Sequence, residues 1–191
     1  MFRSKGVTVA ALVVAVGVAA FIATWGLTGG PSPQGADAAG AARADDSAQP
    51  ITITAVDYAF EGVPERVAAG TAFTLVNASE VEVHELVALR IDDDETRSVE
   101  ELLQLPEDEP AGVAEMPAMV LIAPPASEGF AVVEDGTFRE PGRYLLACAI
   151  PTGADPEAYL AAAAEATDVP PQVEGGPPHF VLGMFAQVIV E

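Results

Sequence analysis

Few side chains in this 191-residue chain are suited to metal or redox chemistry. There are two histidines, His84 and His179, one cysteine, Cys148, and four methionines, of which Met1 is the initiator. Both imidazoles, the thiol and one thioether fall in a single order: His84, Cys148, His179 and, after four intervening residues, Met184. Nitrogen and sulfur donors of this kind suit a soft or borderline transition metal better than calcium or magnesium. Taken singly, each has an inert reading: a structural strand histidine, a buried small hydrophobe, a core methionine. The conjunction weighs more, because no other His or Cys exists to make a chance match. One cysteine excludes an intramolecular disulfide and any multi-cysteine zinc or iron–sulfur site. A Ser–His–Asp arrangement would need one of the two histidines, and nothing local supports it. No Gly-rich phosphate loop or nucleophile elbow is present.

The elements that must position these residues read mostly as strands. Residues 51–56 (ITITAV) are β-rich and partly alternating, and Asp57 to Gly62 ends the run with aromatics and a glycine. Val67 to Gly70 marks a turn before Thr71–Asn77. Val81–Ile91 is a long apolar-rich run carrying His84, and Gly129–Val133 a short strand. Asp135-Gly136 and Pro141-Gly142 are turn signals, the second directly before the run that leads through Tyr144 to Cys148. Phe180–Val190 closes the chain with an apolar run. Two helices interrupt the pattern. Ser98–Leu105 opens on a capping box, with Glu101 three residues after Ser98, and stops at Pro106. The second covers about 157–166, with Asp155 as N-cap and Pro156 at its first position. Its only large apolar residues are Tyr159 and Leu160, which predicts a surface helix with little to bury. Short strands with Gly/Pro turns predict an antiparallel β-sandwich.

The N-terminus is of different material. Arg3 and Lys5 precede an uncharged stretch whose apolar part, Gly6 to Leu27, is 22 residues long, enough to cross a bilayer as a helix. The basic flank predicts a cytoplasmic N-terminus, with the remainder outside. The run matches a retained signal-anchor better than a cleaved signal, and release after cleavage is the alternative. Residues 1–28 are therefore expected to be the signal-anchor or signal peptide. Residues 29–49, rich in Gly, Pro, Ala and Ser, are expected to be a flexible linker, and 50–191 the folded domain. All 29 acidic residues follow the apolar stretch; against 8 Lys and Arg they give a net charge of −21. That balance excludes a nucleic-acid binder. The 50% apolar content excludes an acidic disordered tail.

Three stretches resemble the blue copper proteins, the plastocyanin/azurin-like cupredoxins. They are Val76-Asn77 through Val83-His84, Gly142 through Tyr144 and Cys148 to Pro151, and His179 through Gly183-Met184; Ile53 to Glu61 is also similar. The resemblance spans most of 50–191. It implies an all-β, cupredoxin-like Greek-key β-sandwich with short helical insertions. It implies one mononuclear type 1 copper held by His84, Cys148, His179 and Met184, and single-electron transfer between redox partners without substrate chemistry. Partners would be redox proteins of the same membrane with a basic docking face. In this family only a few residues separate the cysteine from the second histidine, and here 149–178 intervene, so the segment reads as an insertion in the ligand loop. Closure cost grows slowly with loop length, so such an insertion is tolerable. Glu85, directly after His84, is a second departure. Rival readings are a copper-buffering or delivery protein, which would draw on Met116 and Met119, and a metal-free interaction domain of the same fold.

Overall fold

In a computed structural model, residues 49–106, 109, 111–166 and 171–191 are described. The expected membrane segment (6–27) and nearly all of the linker lie outside them. Among the described residues no helix is long and apolar enough to cross a membrane.

Among the described residues nine strands form two sheets. The smaller joins β1 (Ile51–Val56), β2 (Ala59–Glu61) and β4 (Phe73–Asn77) in the order β2-β1-β4. The larger runs β3-β9-β8-β5-β6-β7, where β3 is Arg66–Val67, β5 His84–Ile91, β6 Met119–Ala123, β7 Phe130–Val133, β8 Gly142–Ala147 and β9 Phe185–Val190. Pairing is antiparallel except for β1 with β4 and β3 with β9, which are parallel. The β-sandwich expected from the sequence is therefore present, with two parallel pairings that the turn signals did not reveal.

Alternation decides which side chains meet between the sheets. In β1, Ile53 and Ala55 are buried while Thr52 is exposed. In β8, Tyr144 and Leu146 pack in the main core, and Cys148, just past the strand, continues that face. Leu145 and Ala147 point the other way, into a smaller cluster with Ile91, Val99, Leu102 and Phe180. β5 lies between β6 and β8 and is covered on both faces, so it reads as an almost unbroken apolar run. Tyr144 closes the corner before β8: its hydroxyl donates to the Glu140 carbonyl at 2.8 Å and its ring stands edge-on to Phe138.

β6 went unread in the sequence. Met119–Ala123 is five consecutive buried residues with no alternation, flanked by prolines; it pairs with β5, distant in the chain, and with the next strand, β7. The helices are α1 (Val99–Leu102), with the capping box at Ser98 formed, and α2 (Pro156–Glu165), capped by Asp155. α2 is mostly exposed as expected, but Tyr159 is only 2% exposed and anchors it to the core.

The segment between Cys148 and His179 leaves and re-enters the sandwich at one root. Pro151 and Pro178 form an antiparallel bridge. Thr152 N–H donates to the Pro177 carbonyl (3.1 Å), and Gly176 N–H to the Thr152 carbonyl (2.8 Å). His179 N–H then donates to Ile150 and Phe180 N–H to Cys148 (3.0 and 2.8 Å). These bonds let a 30-residue excursion deliver His179 as a short loop would. The two limbs touch at Gly175, where an added Cβ would lie 2.5 Å from the Pro151 Cβ. Gly175→Ala is expected to destabilise the fold by about 1–3 kcal/mol in urea unfolding. Gly176→Ala, whose added carbon meets its nearest neighbour at 3.4 Å, is expected to be close to neutral in the same measurement.

Candidate metal centre

Three adjacent strands bring their ends together at one end of the larger sheet. His84 opens β5, Cys148 follows the last residue of β8, and Met184 precedes β9. Ala147 pairs with Phe185, and one rung further Cys148 N–H donates to the Met184 carbonyl at 3.1 Å. Cys148 and Met184 therefore face each other by ladder register. Between them the chain makes a 3₁₀ turn, His179–Leu182, which ends on Gly183 with φ +112. A side chain would be strained in that conformation, and Gly183 N–H there bonds back to Phe180.

One ligand atom from each of His84, Cys148 and His179 lies within 4.8 Å of the other two. The Nδ1 atoms of the histidines are 3.1 Å apart, and Cys148 Sγ is 3.4 Å from His179 Nδ1. These residues and Met184 are fully buried. The His–Cys–His cluster that the blue-copper resemblance implied is present, and Met184 is adjacent to it through the backbone.

Burial sets the charge states. It lowers the His84 pKa to about 4, helped by His179 and opposed by Asp57, so the imidazole is neutral at ordinary pH. His179 is also lowered by burial, against the opposing pull of Glu82. Burial pushes the Cys148 thiol far up, and Glu85 adds to this, while the backbone N–H groups of Glu85 and Ile150 work the other way. Glu85 N–H reaches Sγ at 3.4 Å. Two neutral imidazoles and a thiol thus crowd around one point, where His179 Nδ1 is approached by both neighbours.

This arrangement fits a metal ion. Metal–nitrogen and metal–sulfur bonds of about 2.0–2.3 Å hold trigonal donors roughly 3.5 Å apart, close to the spacing seen. The outer ring nitrogens, Nε2 of His84 and of His179, are buried without hydrogen-bond partners. Buried polar groups without partners are uncommon and call for an account. With a cation bound the local electrostatics would be reversed, and Cys148 would be held as its thiolate with its proton released to solvent.

Polar side chains around the cluster were not singled out as site residues in the sequence. Asn77 lies at the end of β4 and is 2% exposed. Its Nδ2 donates to the carbonyls of Glu82 (2.8 Å) and Ala123 (3.0 Å), and its Oδ1 accepts from Ser79 N–H (2.9 Å). It ties the turn before His84 to the end of β6. Glu85, noted only as a departure, is buried: one oxygen accepts from Ala149 N–H (3.1 Å), the other from the Tyr159 hydroxyl (2.8 Å). Burial raises its pKa, and those two donors oppose the rise. Glu82 accepts from Gly153 N–H, and its Oε2 is 3.6 Å from His179 Nε2. The Tyr58 ring stands edge-on to His179 at 5.1 Å. The only sequence signal for these roles was an acidic residue on either side of an apolar strand start, which reads equally well as solvated charge.

The rival reading draws on Met116 and Met119. Met119 is fully buried in β6, four residues before Ala123, which pairs with His84, and Met116 is 48% exposed.

No family model and no curated protein matches the chain. Among solved structures it is similar to three auracyanins. The dithionite-reduced auracyanin of the photosynthetic bacterium Roseiflexus castenholzii is 14% identical, with 76% of this chain and 98% of that one covered at a TM-score of 0.39. Auracyanin A, a "blue" copper protein from the green thermophilic photosynthetic bacterium Chloroflexus aurantiacus, is 17% identical over 74% and 97% at 0.39. Auracyanin B is 18% identical over 76% and 90% at 0.33.

Asn77→Ala removes the donor to two buried carbonyls and the acceptor for one N–H. It is expected to cost about 3 kcal/mol of stability in urea unfolding, since each buried group left unpaired costs roughly 1–3.

Proposed function

We propose that the domain binds one type 1 copper through His84, Cys148, His179 and Met184 and carries single electrons outside the cytoplasm. The observation that carries this reading is the buried convergence of one thiol and two neutral imidazoles on one point. When bound, copper supplies a one-electron couple between its two common oxidation states. The chain's own residues do the rest. Cys148 gives up its proton and binds as thiolate, with Glu85 N–H directed at the sulfur. The imidazoles of His84 and His179 offer Nδ1, while Met184, across the ladder from Cys148, is placed to add a weak thioether. Because the donors sit on strand ends and a bonded turn, little of the protein has to move when charge changes. Full burial keeps water from the donors.

The surface and the N-terminus support the rest of the reading. Arg66, Arg90, Arg97 and Arg139 each pair with a carboxylate, and Arg143 donates to the carbonyls of Glu95 and Arg97. The acidic excess is left to face solvent, which favours a partner with a basic face. The apolar stretch 6–27 with Arg3 and Lys5 before it supports a membrane anchor and an extracytoplasmic domain, in line with a protein that serves redox partners at the same membrane.

The test is Cu(II) titration of the metal-free full-length chain in detergent, followed by visible absorption and electron paramagnetic resonance. The expected result is an intense thiolate-to-copper band with a narrow copper hyperfine splitting, at one copper per chain. Cys148→Ser is expected to abolish both. A pale, broadly split spectrum that survives the substitution would sink the electron-carrier reading.

A further inference from the structure

We infer that Glu82 is the hydrogen-bond partner of His179 Nε2 in the metal-loaded protein, and that this contact tilts the site toward the more highly charged, oxidised ion. The inference rests on the copper reading above and adds a positioning residue outside the ligand set.

With Nδ1 of His179 turned to the donor cluster, a neutral ligating imidazole carries its proton on Nε2, and such a proton normally has an acceptor. In the structure Nε2 is buried and unpartnered, and the Glu82 Oε2 atom lies 3.6 Å away, just beyond hydrogen-bond range. Glu82 is not a swinging surface side chain. Gly153 N–H donates to both of its oxygens (3.1 and 3.2 Å), and the Tyr58 hydroxyl approaches Oε1 at 3.5 Å. Ser79 Oγ accepts its N–H and Asn77 holds its carbonyl. The donor edges of 3.1 and 3.4 Å are slightly shorter than the roughly 3.5 Å that bound trigonal donors take. Closing the gap needs the His179 ring to move toward Glu82 by about 0.4 Å when an ion seats. A carboxylate on the far side of a ligating imidazole raises the ring's basicity, and its negative charge favours the dication over the monocation. Gly153 belongs to the inserted segment, so the insertion fixes the carboxylate and closes the histidine edge together.

The experiment uses the full-length chain in detergent with Glu82→Gln and Glu82→Ala. Histidine 15N NMR of the Zn(II)-loaded protein reads the Nε2 proton of His179 without copper. It is expected to exchange slowly in the parent and rapidly in Glu82→Ala. In the copper-loaded protein both variants should keep the thiolate band. Their preference for Cu(II) over Cu(I) should fall about tenfold, an upward shift of ~59 mV in potential. Glu82→Gln keeps the side chain's size and an acceptor oxygen, so it carries the potential measurement even if the alanine variant fails to fold. An unchanged potential in Glu82→Gln, or an equally protected proton in a folded Glu82→Ala, overturns the inference while a surviving blue band leaves the copper reading standing. A parent chain that binds neither ion overturns both.

Discussion

The site depends on the backbone bonds that return the chain to Cys148 after its long excursion. Cys148 N–H is bound by Met184 and its carbonyl by Phe180 N–H, so the cysteine is held on both sides by the segment that carries His179. Without those bonds His179 would be separated from Cys148 by thirty residues of Ala-, Pro- and Gly-rich chain. The entropy of closing such a loop rises only as the logarithm of its length, so a few well-placed bonds at its root are enough to offset it. Those bonds are the Pro151–Pro178 bridge and the contacts of Thr152 with Pro177 and Gly176.

A second constraint is that three lone-pair groups are packed together away from water. Burial is the largest cause that favours neutral imidazoles and a protonated thiol, with His179 adding to it at His84 and Glu85 at Cys148. The cluster's order comes from the strands: His84 is fixed by β5 and β6, Cys148 by β8 and β9, and the intervening turn by Gly183. A site built on strand ends is set by the same ladders that hold the core. This explains why Asn77, whose hydrogen bonds go to Glu82, Ala123 and Ser79, belongs to the same structural unit as His84.

Much of this was legible from residue types, and the part that was not has definite causes. The donors stood out because the chain contains so few alternatives. Strands with alternation or turn flanks, such as Ile51–Val56 and the run into Cys148, could be read directly. β6 could not, because a strand buried on both faces shows no period. Tyr159 was read as too little to bury a helix, since a single anchor leaves no periodic stripe, yet its hydroxyl meets a carboxylate that no local pattern brings near it. Glu82 and Glu85 illustrate the same limit. A charge beside a strand start gives no sign of whether it faces water or a folded-back loop, and only the tertiary path of 149–178 decides that.

That path gives the inserted segment two attachments to the donor strand, one on each side of His84. Glu82 accepts from Gly153 at its beginning, and Glu85 accepts from Ala149 and from Tyr159 within α2. Neither carboxylate would be stable in this position without those donors, because a buried carboxyl left unpaired costs more than the packing around it returns. The insertion and the two acidic residues are therefore mutually dependent. An excursion of this length would leave both ligands' edges open if it were only tolerated; held by Glu82 and Glu85, it becomes part of the wall that keeps His84, Cys148 and His179 dry.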